Sequence, residues 1–394
     1  MAGHGAESRV GAGHHKQQPE SPRLQRAALL LVAPIALLTL AALIWLWPSG
    51  DVDAGGEGER ATIASEVDGE VISLDPVECE EALPDDVNGC GTAIVRLDDG
   101  TEVEAPLPNG AGAPLLAEGD AVVLVESTSP DGDVYGIVDH QRSTRLWILI
   151  TAFAFALIAF GRLRGVTALI GLVVTFAVLT VFVVPAILRG EPPALVAIVG
   201  SASIALTVLY LTHGFGLATT VALIGTLASL ALTGLLAALT TSALHLTGVT
   251  DDLSMAVDTT YGVDMASVLL AGIIIGSLGV LDDVTITQSA TVRELARANP
   301  DYSPRQLFGS AMRVGRSHIA SVVNTIVLAY AGASLPILVL AVADNDSLLA
   351  TASDQFLAQE IVRSLVATLG LIAAVPITTA LAALALRRTD RRPD

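Results

Sequence analysis

The chain has 394 residues, 52% hydrophobic and 15% charged, with a formal net charge of −19 at pH 7. It is too apolar for a soluble protein of this length, which indicates a membrane protein. The charge is uneven, because residues 48–143 hold 23 acids and 3 bases. An acidic surface repels phosphate groups, which argues against a nucleic-acid partner.

The N-terminal 26 residues are rich in Gly, His, Gln and Pro and show no apolar period, which is typical of a disordered cytoplasmic tail. Residues 27–47 form an apolar run long enough to cross a ~30 Å hydrocarbon core. Arg23 and Arg26 precede this run and favour a cytoplasmic N-terminus. A cleaved signal peptide is the alternative, although the run is longer than a signal core and no clear A-x-A site follows it.

Residues 48–143 predict one acidic all-β domain outside the cytoplasm. Five or six short segments alternate between apolar and polar residues, and Asp99-Gly100 between two of them is a hairpin signal. Short strands with tight turns favour a small β-barrel or sandwich, with an OB-like barrel as one form. The two cysteines of the chain, Cys79 and Cys90, are expected to form a disulfide outside the cytoplasm, with two free thiols as the alternative.

Residues 144–386 predict a membrane domain of seven more helices, which gives eight transmembrane helices in all. A basic cytoplasmic tail follows at 387–394. Arginines concentrate in alternate connections, and acids in the others, so we expect both termini to be cytoplasmic. The seven apolar segments are 144–160, 166–188, 194–212, 217–244, 265–281, 319–342 and 361–386.

A polar cluster is predicted in the inner leaflet, where the sixth and seventh spans approach the cytoplasm. Asp282 lies roughly 26 Å along its span and Asn324 roughly 8 Å into the next, at 1.5 Å per residue. Acids at membrane depth usually face a protein interior or a water-filled path. The candidate ion or proton site comprises Asp283, Asp282, Asn324, Thr285, Thr287, His318 and Tyr330.

Two interpretations of this cluster stay open. In one, carboxylate, amide and hydroxyl oxygens coordinate a hard cation or relay a proton. In the other, the aspartates lie at the membrane interface and cap a cytoplasmic helix over 285–298.

Small residues at helical spacing predict close helix packing. Gly272, Gly276 and Gly279 share one flank of the sixth span, and Gly225 with Ser229 repeats the pattern in the fifth. We expect these residues to pack within the bundle, and a homodimer face is the alternative. Pro336 and Pro376 are expected to kink the last two spans.

No enzyme motif with its usual spacing is present, so the sequence does not favour catalysis. H-E-x-x-H, G-x-S-x-G and P-loop patterns are absent from it. No calcium loop of the D-x-D-x-D-G type occurs, and the histidines of the N-terminal tail lack a fixed geometry. We therefore expect no metal site and no cofactor.

Several motifs follow one another along the chain: YGIVDHQR at 135–142, GRLRG at 161–165, PAILRGEP at 185–192, GSLGVLDDVTITQSA at 276–290 and VVNTIVLAYAGASLP at 322–336. Together and in this order they resemble the YibE/F-like family of bacterial multispanning membrane proteins. The resemblance covers roughly residues 67–386. It implies a bacterial plasma-membrane protein with an extracytoplasmic β-domain, and it supplies no established substrate or reaction. In the family pattern one acid follows the L-G pair and falls on Asp283, while Asp282 takes a place that is often apolar.

These features lead to two functional hypotheses. The leading one is an ion- or proton-coupled transporter or permease that uses the inner-leaflet Asp/Asn/Thr cluster to move a small ion or solute. The alternative is a non-transporting membrane scaffold whose outer β-domain binds an envelope partner or polymer. A homo-oligomer is compatible with either.

Overall fold

The computed structural model describes residues 22–49, 65–79, 87–110, 112–129, 132–343 and 353–386. The predicted tails lie outside these residues, except that the first helix already begins at Pro22. The described chain is mostly helical, with several long apolar helices and one small antiparallel sheet. It forms two compact units, Gly55–Leu169 and the rest of the chain.

The sheet has five strands: β1 (Ser65–Val77), β2 (Cys90–Leu97), β3 (Glu102–Pro106), β4 (Ala121–Ser129) and β5 (Gly132–His140). They pair antiparallel in the order β3-β2-β1-β4-β5, and β3 also contacts β5. Strand β1 is bent by an irregularity between Val71 and Ser73, and it pairs with both β2 and β4. The five strands form one small antiparallel sheet whose two end strands are in contact, and we call it the barrel.

The barrel core follows from the alternation of side chains along each strand. Ala93, Val95 and Leu97 of β2 are buried, while the residues between them point outward. They pack with Val122 and Leu124 of β4 in one apolar cluster. Because successive side chains of a strand alternate in direction, a period of two places one set in the core.

A tight turn and a disulfide stabilise the loops of the barrel. Gly100 has a φ of +90°, which glycine adopts without a steric penalty, and the Thr101 amide donates to Asp99 Oδ1 at 2.8 Å. Cys79 and Cys90 form a disulfide across a separation of 11 residues. Beside it, Asn88 Nδ2 donates to the carbonyls of Pro108 and Pro114 at 2.7 and 2.9 Å.

The α-helices of the described chain share a high apolar content and are numbered in chain order. They are α1 (Pro22–Trp45), α2 (Ser143–Gly161), α3 (Leu163–Ala177), α4 (Val184–Leu188), α5 (Pro193–His213), α6 (Leu217–Ala243), α7 (Asp252–Tyr261), α8 (Met265–Ala298), α9 (Pro304–Ala333), α10 (Leu335–Ala343) and α11 (Gln355–Leu386). A π-helical segment, Val178–Val183, joins α3 to α4.

Among the described residues, seven helices are long and apolar enough to cross a membrane. They coincide with seven of the eight predicted spans. The eighth, 319–342, falls on the second half of α9 and on α10, which meet at Ser334. Pro336 lies in the first turn of α10. Backbone amides there have no intrahelical acceptor, so the missing amide hydrogen of proline costs no helical hydrogen bond. Eight spans and their orientation stay a prediction.

Helix α8 is the centre of the larger unit, since it contacts α5, α6, α9 and α11. Its buried apolar side chains include Ile274, Leu278 and Leu281, which pack with residues of the surrounding helices. At 34 residues, α8 is about 51 Å long at 1.5 Å per residue, which exceeds a ~30 Å hydrocarbon core. Helix α8 is therefore longer than a single membrane span requires.

Candidate functional site in the helical bundle

Helix α8 has one buried face and one exposed face, as its 3.6-residue period requires. The buried face carries polar side chains beside the apolar ones, and the exposed face carries the glycines and one acid. Buried are Ser277, Leu278, Leu281, Thr285, Gln288, Ser289 and Val292, and exposed are Gly272, Gly276, Gly279, Asp283 and Thr287.

Thr285 connects α8 to α6. Its side chain is fully buried, and its Oγ1 lies 2.6 Å from Oγ1 of Thr226. The Thr285 hydroxyl also donates to the main-chain carbonyl of Asp282 at 3.1 Å, and that of Thr226 donates to the carbonyl of Ala222 at 3.0 Å. The Thr285 side chain thus forms a contact between two helices.

Gln288 connects α8 to two other helices. Its Nε2 donates to the carbonyl of Ala311 on α9 at 3.0 Å and to Oγ1 of Thr379 on α11 at 2.7 Å. Gly315 of α9 leaves room for this side chain, because a Cβ there would lie 3.0 Å from Gln288 Oε1. Both amide hydrogens of a nearly buried Gln are therefore satisfied inside the bundle.

Ser289 and Thr379 complete this buried polar group. The Ser289 hydroxyl donates to the carbonyl of Ala218 on α6 at 2.7 Å, and that of Thr379 donates to the carbonyl of Val375 at 2.6 Å. Polar side chains from α6, α8 and α11 thus meet in the interior. We call the set Thr226, Thr285, Gln288, Ser289 and Thr379 the interior polar group.

Two buried hydroxyls near this group have no hydrogen-bond partner within the described chain. Oγ of Ser229 and Oγ1 of Thr378 are both buried, and each residue is 0% exposed. Ser229 lies three residues after Thr226 on α6, and Thr378 precedes Thr379 on α11. Unpaired buried hydroxyls are costly, so each is available to water or to a bound ion.

The two predicted acids take different positions on α8. Asp282 is partly buried and lies three residues before Thr285, whereas Asp283 is exposed on the face of Gly276 and Gly279. The interpretation of these acids as a helix cap is wrong, because α8 runs without a break from Met265 to Ala298. No Gly or Pro interrupts the sequence between them and the end of the helix, so Thr285 lies mid-helix.

The predicted residues of α9 do not join an enclosed site. Asn324 is exposed, and His318 and Tyr330 are partly buried. The Tyr330 hydroxyl lies 3.6 Å from the position that a Cβ on Gly276 would take. Tyr330 therefore approaches the exposed face of α8, on the opposite side from the interior polar group.

The predicted packing glycines differ in how closely other helices approach them. Gly225 lies against Thr378 so closely that a Cβ would overlap the Thr378 hydroxyl. At Gly272 and Gly279, by contrast, a Cβ would meet no atom of the described chain within 4 Å. The structure thus brings Gly225 into a helix contact, and within the described chain it leaves open space at Gly272 and Gly279.

Most of the interior polar group was absent from the predicted site, which included Thr285 alone. A usable signal existed, because Thr285, Gln288 and Ser289 follow the i, i+3, i+4 pattern of one helix face. On α6, Thr226 and Ser229 are likewise three residues apart. What the sequence lacked was the direction in which each face points.

Within the ranges that the structure describes, no group of three or more His, Cys, Asp or Glu side chains is placed to hold a metal ion. The interior polar group offers hydroxyl and amide oxygens instead, with one partly buried carboxylate nearby. Such oxygens suit a hydrated hard cation or a chain of water molecules.

A family model described as YibE/F-like protein matches residues 149–388. The match begins inside α2, so it leaves out the motif at 135–142 and the barrel. Searches of curated proteins and of solved structures found no match.

Proposed function

The chain belongs to the YibE/F-like family, and we propose that it is an integral plasma-membrane protein that moves a proton or a small cation through its helical bundle. The observation that carries this proposal is the interior polar group, which joins α6, α8 and α11 within a bundle of membrane-length apolar helices. Polar side chains in such an interior often mark ion and proton paths.

Asp282 supplies the ionisable group of the proposed path. Its partly buried side chain lies on α8 three residues before Thr285 and seven before Ser289, so these three residues share one side of the helix. Asp283, which the family pattern favours, lies on the exposed face. The geometry therefore supports Asp282 as the carboxylate that binds the ion or carries the proton.

The unpaired hydroxyls extend the proposed path along α6 and α11. Ser229 and Thr378 have free buried oxygens, and Thr233 lies one further turn along α6 at 0% exposure. Hydroxyl oxygens spaced by one helical turn can pass a cation or a proton between water molecules. The same hydroxyls also strengthen helix packing, so the experiment must separate flux from stability.

The direct test is a flux measurement on purified protein in proteoliposomes. Proton movement is followed with an internal pH dye, and cation movement with a panel of Na⁺, K⁺ and Mg²⁺ gradients. Asp282→Asn is compared with Asp283→Asn, a matched change of two neighbouring acids of which the first is partly buried and the second is exposed. Thermal unfolding of each variant reports whether folding is preserved.

We expect flux by the wild-type protein, loss of flux in Asp282→Asn, and flux near the wild-type level in Asp283→Asn. Flux no greater than that of empty liposomes for every ion would overturn the proposal. The converse pattern, with Asp283 essential and Asp282 dispensable, would move the path to the exposed face of α8 and imply that a second chain covers it.

A scaffold is the second candidate function, and one feature of the barrel favours it. Val134 and Val138 of β5 are 54% and 50% exposed. Exposed apolar residues close together on a surface are typical of a protein contact. Photo-crosslinking from position 138 in native membranes should capture a stoichiometric partner if the barrel is a scaffold.

A further inference from the structure

One face of α8 is left uncovered by the described chain. Although α8 contacts four other helices, Gly276, Gly279, Asp283 and Thr287 are all exposed. Their spacing of i, i+3, i+7 and i+11 places them in one line along the helix. We call this line the open stripe of α8.

The glycines of the open stripe form a hollow that no helix of the described chain fills. A Cβ on Gly279 would meet no atom of that chain within 4 Å, and a Cβ on Gly276 would meet the Tyr330 hydroxyl at an ordinary distance of 3.6 Å. Glycine is less favourable than alanine inside a helix, so its presence there calls for a packing reason. In membrane helices, small residues let another helix approach closely.

Asp283 makes the open stripe costly to expose to lipid. Its carboxylate has neither a hydrogen bond nor an ion pair within the described chain. It lies 18 residues after Met265, which is ~27 Å along α8 at 1.5 Å per residue and still inside a ~30 Å hydrocarbon core entered at Met265. Acids at such a depth face protein or water. A cover for this stripe therefore has to bring hydrogen-bond donors.

Helix α9 carries a line of exposed residues with the matching chemistry. Ser321, Asn324 and Leu328 are exposed, and their spacing of i, i+3 and i+7 places them on one side of the helix. A serine hydroxyl and an asparagine amide both donate hydrogen bonds, whereas a carboxylate only accepts them. Leu328, which is 62% exposed, offers a bulky side chain to a hollow.

Two contacts within the chain fix the register of α9 against α8. Gln288 donates to the Ala311 carbonyl, and Gly276 faces the Tyr330 hydroxyl, so the two helices run antiparallel. Interpolation between these contacts sets the level of Leu328 between Gly276 and Gly279, and the levels of residues 321 and 324 within about one helical turn of position 283. The donors of α9 thus lie at the depth of the acid, and its bulky residue lies at the depth of the hollow.

This match in depth also holds between two copies of the chain. A two-fold axis along the membrane normal leaves every residue at its own depth, so α9 of one copy meets α8 of the other in the same register. A contact made in this way occurs twice, once on each side of the axis. The surface formed by α8 and α9 is therefore complementary to itself.

We propose that the open stripe binds a second copy of this chain, in a two-fold symmetric dimer in which α8 of each copy packs against α9 of the other. The Asp283 carboxylate accepts from the Ser321 hydroxyl and the Asn324 amide of the other copy. Leu328 of that copy fills the hollow between Gly276 and Gly279. The inference rests on α8 crossing the membrane and goes beyond transport, because association is measured without any flux.

The test is the association of full-length chains in liposomes, followed by energy transfer between donor-labelled and acceptor-labelled copies over a range of protein-to-lipid ratios. Gly279→Leu fills the hollow with a side chain for which its own chain leaves room. Asn324→Leu removes a donor at nearly constant volume. Gly309→Leu is the matched control, because it makes the same change at a position of α9 that lies in neither line and where a Cβ would meet no atom within 4 Å.

We expect energy transfer that rises to saturation for the wild type, and dimerisation weakened about tenfold or more by Gly279→Leu and by Asn324→Leu. Gly309→Leu should associate as the wild type does. The midpoint of thermal unfolding in detergent should not fall in Gly279→Leu, because leucine favours the helix more than glycine does. Asn324→Leu decides the matter if Gly279→Leu does not fold.

Thiol crosslinking tests the arrangement of the two copies. The native cysteines are in a disulfide, so introduced thiols react alone. Chains with Asp283→Cys should crosslink to chains with Asn324→Cys, and less readily to one another. The proposal is overturned by energy transfer that stays at the background of random proximity, which would leave the stripe to lipid or to a different protein. It is also overturned by wild-type association of Gly279→Leu, or by crosslinks that join position 283 to position 283 in preference to 324.

Discussion

The hydroxyl oxygen of Thr378 on α11 occupies the place where a side chain on Gly225 of α6 would begin. About two helical turns away, the glycine is on α11 and the threonine on α6, because the hydroxyl of Thr233 lies against Gly370. From the first contact to the second, the residue number rises along α6 and falls along α11, so the two helices run antiparallel. Small residues on each helix let the other approach closely.

This contact predicts that Gly225→Val destabilises the protein. The added side chain must displace Thr378 or separate the helices, and overpacking of this kind costs about 1–3 kcal/mol. We expect a lower midpoint of thermal unfolding in detergent, followed by intrinsic fluorescence. Gly272→Val is the matched control, because its Cβ would meet open space. Equal midpoints for the two variants would show that the α6–α11 contact is not tight.

Gln288→Leu is expected to destabilise the bundle at nearly constant side-chain volume. It removes the hydrogen bonds to Ala311 and Thr379, which together contribute about 1–3 kcal/mol. Thr287→Val, one residue earlier on the exposed face, should have little effect. The check is the unfolding midpoint of each variant, measured beside that of the wild type. A more stable Gln288→Leu would indicate that the site is polar for function at the expense of stability.

Acid should weaken the barrel unit through Asp139. The Arg142 guanidinium, whose Nη2 donates to Asp139 Oδ1 at 2.8 Å, lowers the pKa of this carboxyl below its usual value, and the His140 amide adds to the effect. A carboxyl with a lowered pKa in the folded state stabilises it above the unfolded pKa of about 3.9. That contribution is lost as the pH falls from there through the folded pKa.

We therefore expect Asp139→Asn to reduce the drop in unfolding midpoint between about pH 5 and pH 3, since the unfolded pKa of Asp lies near 3.9. Arg142→Gln should reduce the same drop, because it removes the partner. The effect is small, since both side chains are largely solvent-accessible. Parallel pH profiles for the wild type and both variants would contradict this account.

The predicted orientation can be tested by thiol labelling in intact cells. Both native cysteines are in the disulfide, so the wild type offers no free thiol. Thr260→Cys near the end of α7 and Asp301→Cys between α8 and α9 place exposed thiols at opposite ends of α8. If the arginine-rich connections are cytoplasmic, an impermeant maleimide labels position 260 in intact cells and position 301 after lysis alone. Labelling of both in intact cells would mean that α8 does not cross the membrane.

Much of the fold was predictable because it rests on local patterns. Apolar length identified seven helices, and alternation with the Asp99-Gly100 turn identified the strands of the barrel. The span at 319–342 was less secure. Its apolar run continues past Ser334, whereas helix α9 ends just before Ser334 and helix α10 begins just after it.

The sequence by itself determined the chemistry of α8: polar and acidic residues on a membrane-length helix. Only the tertiary structure decided which of them face inward, because a difference of one residue rotates a side chain by 100° about the helix axis. That rotation separates Asp282 from Asp283 and draws Gln288 and Thr285 into the bundle. Their partners, Thr379 and Thr226, lie 91 and 59 residues away along the chain, and local patterns carry no information about contacts at such distances.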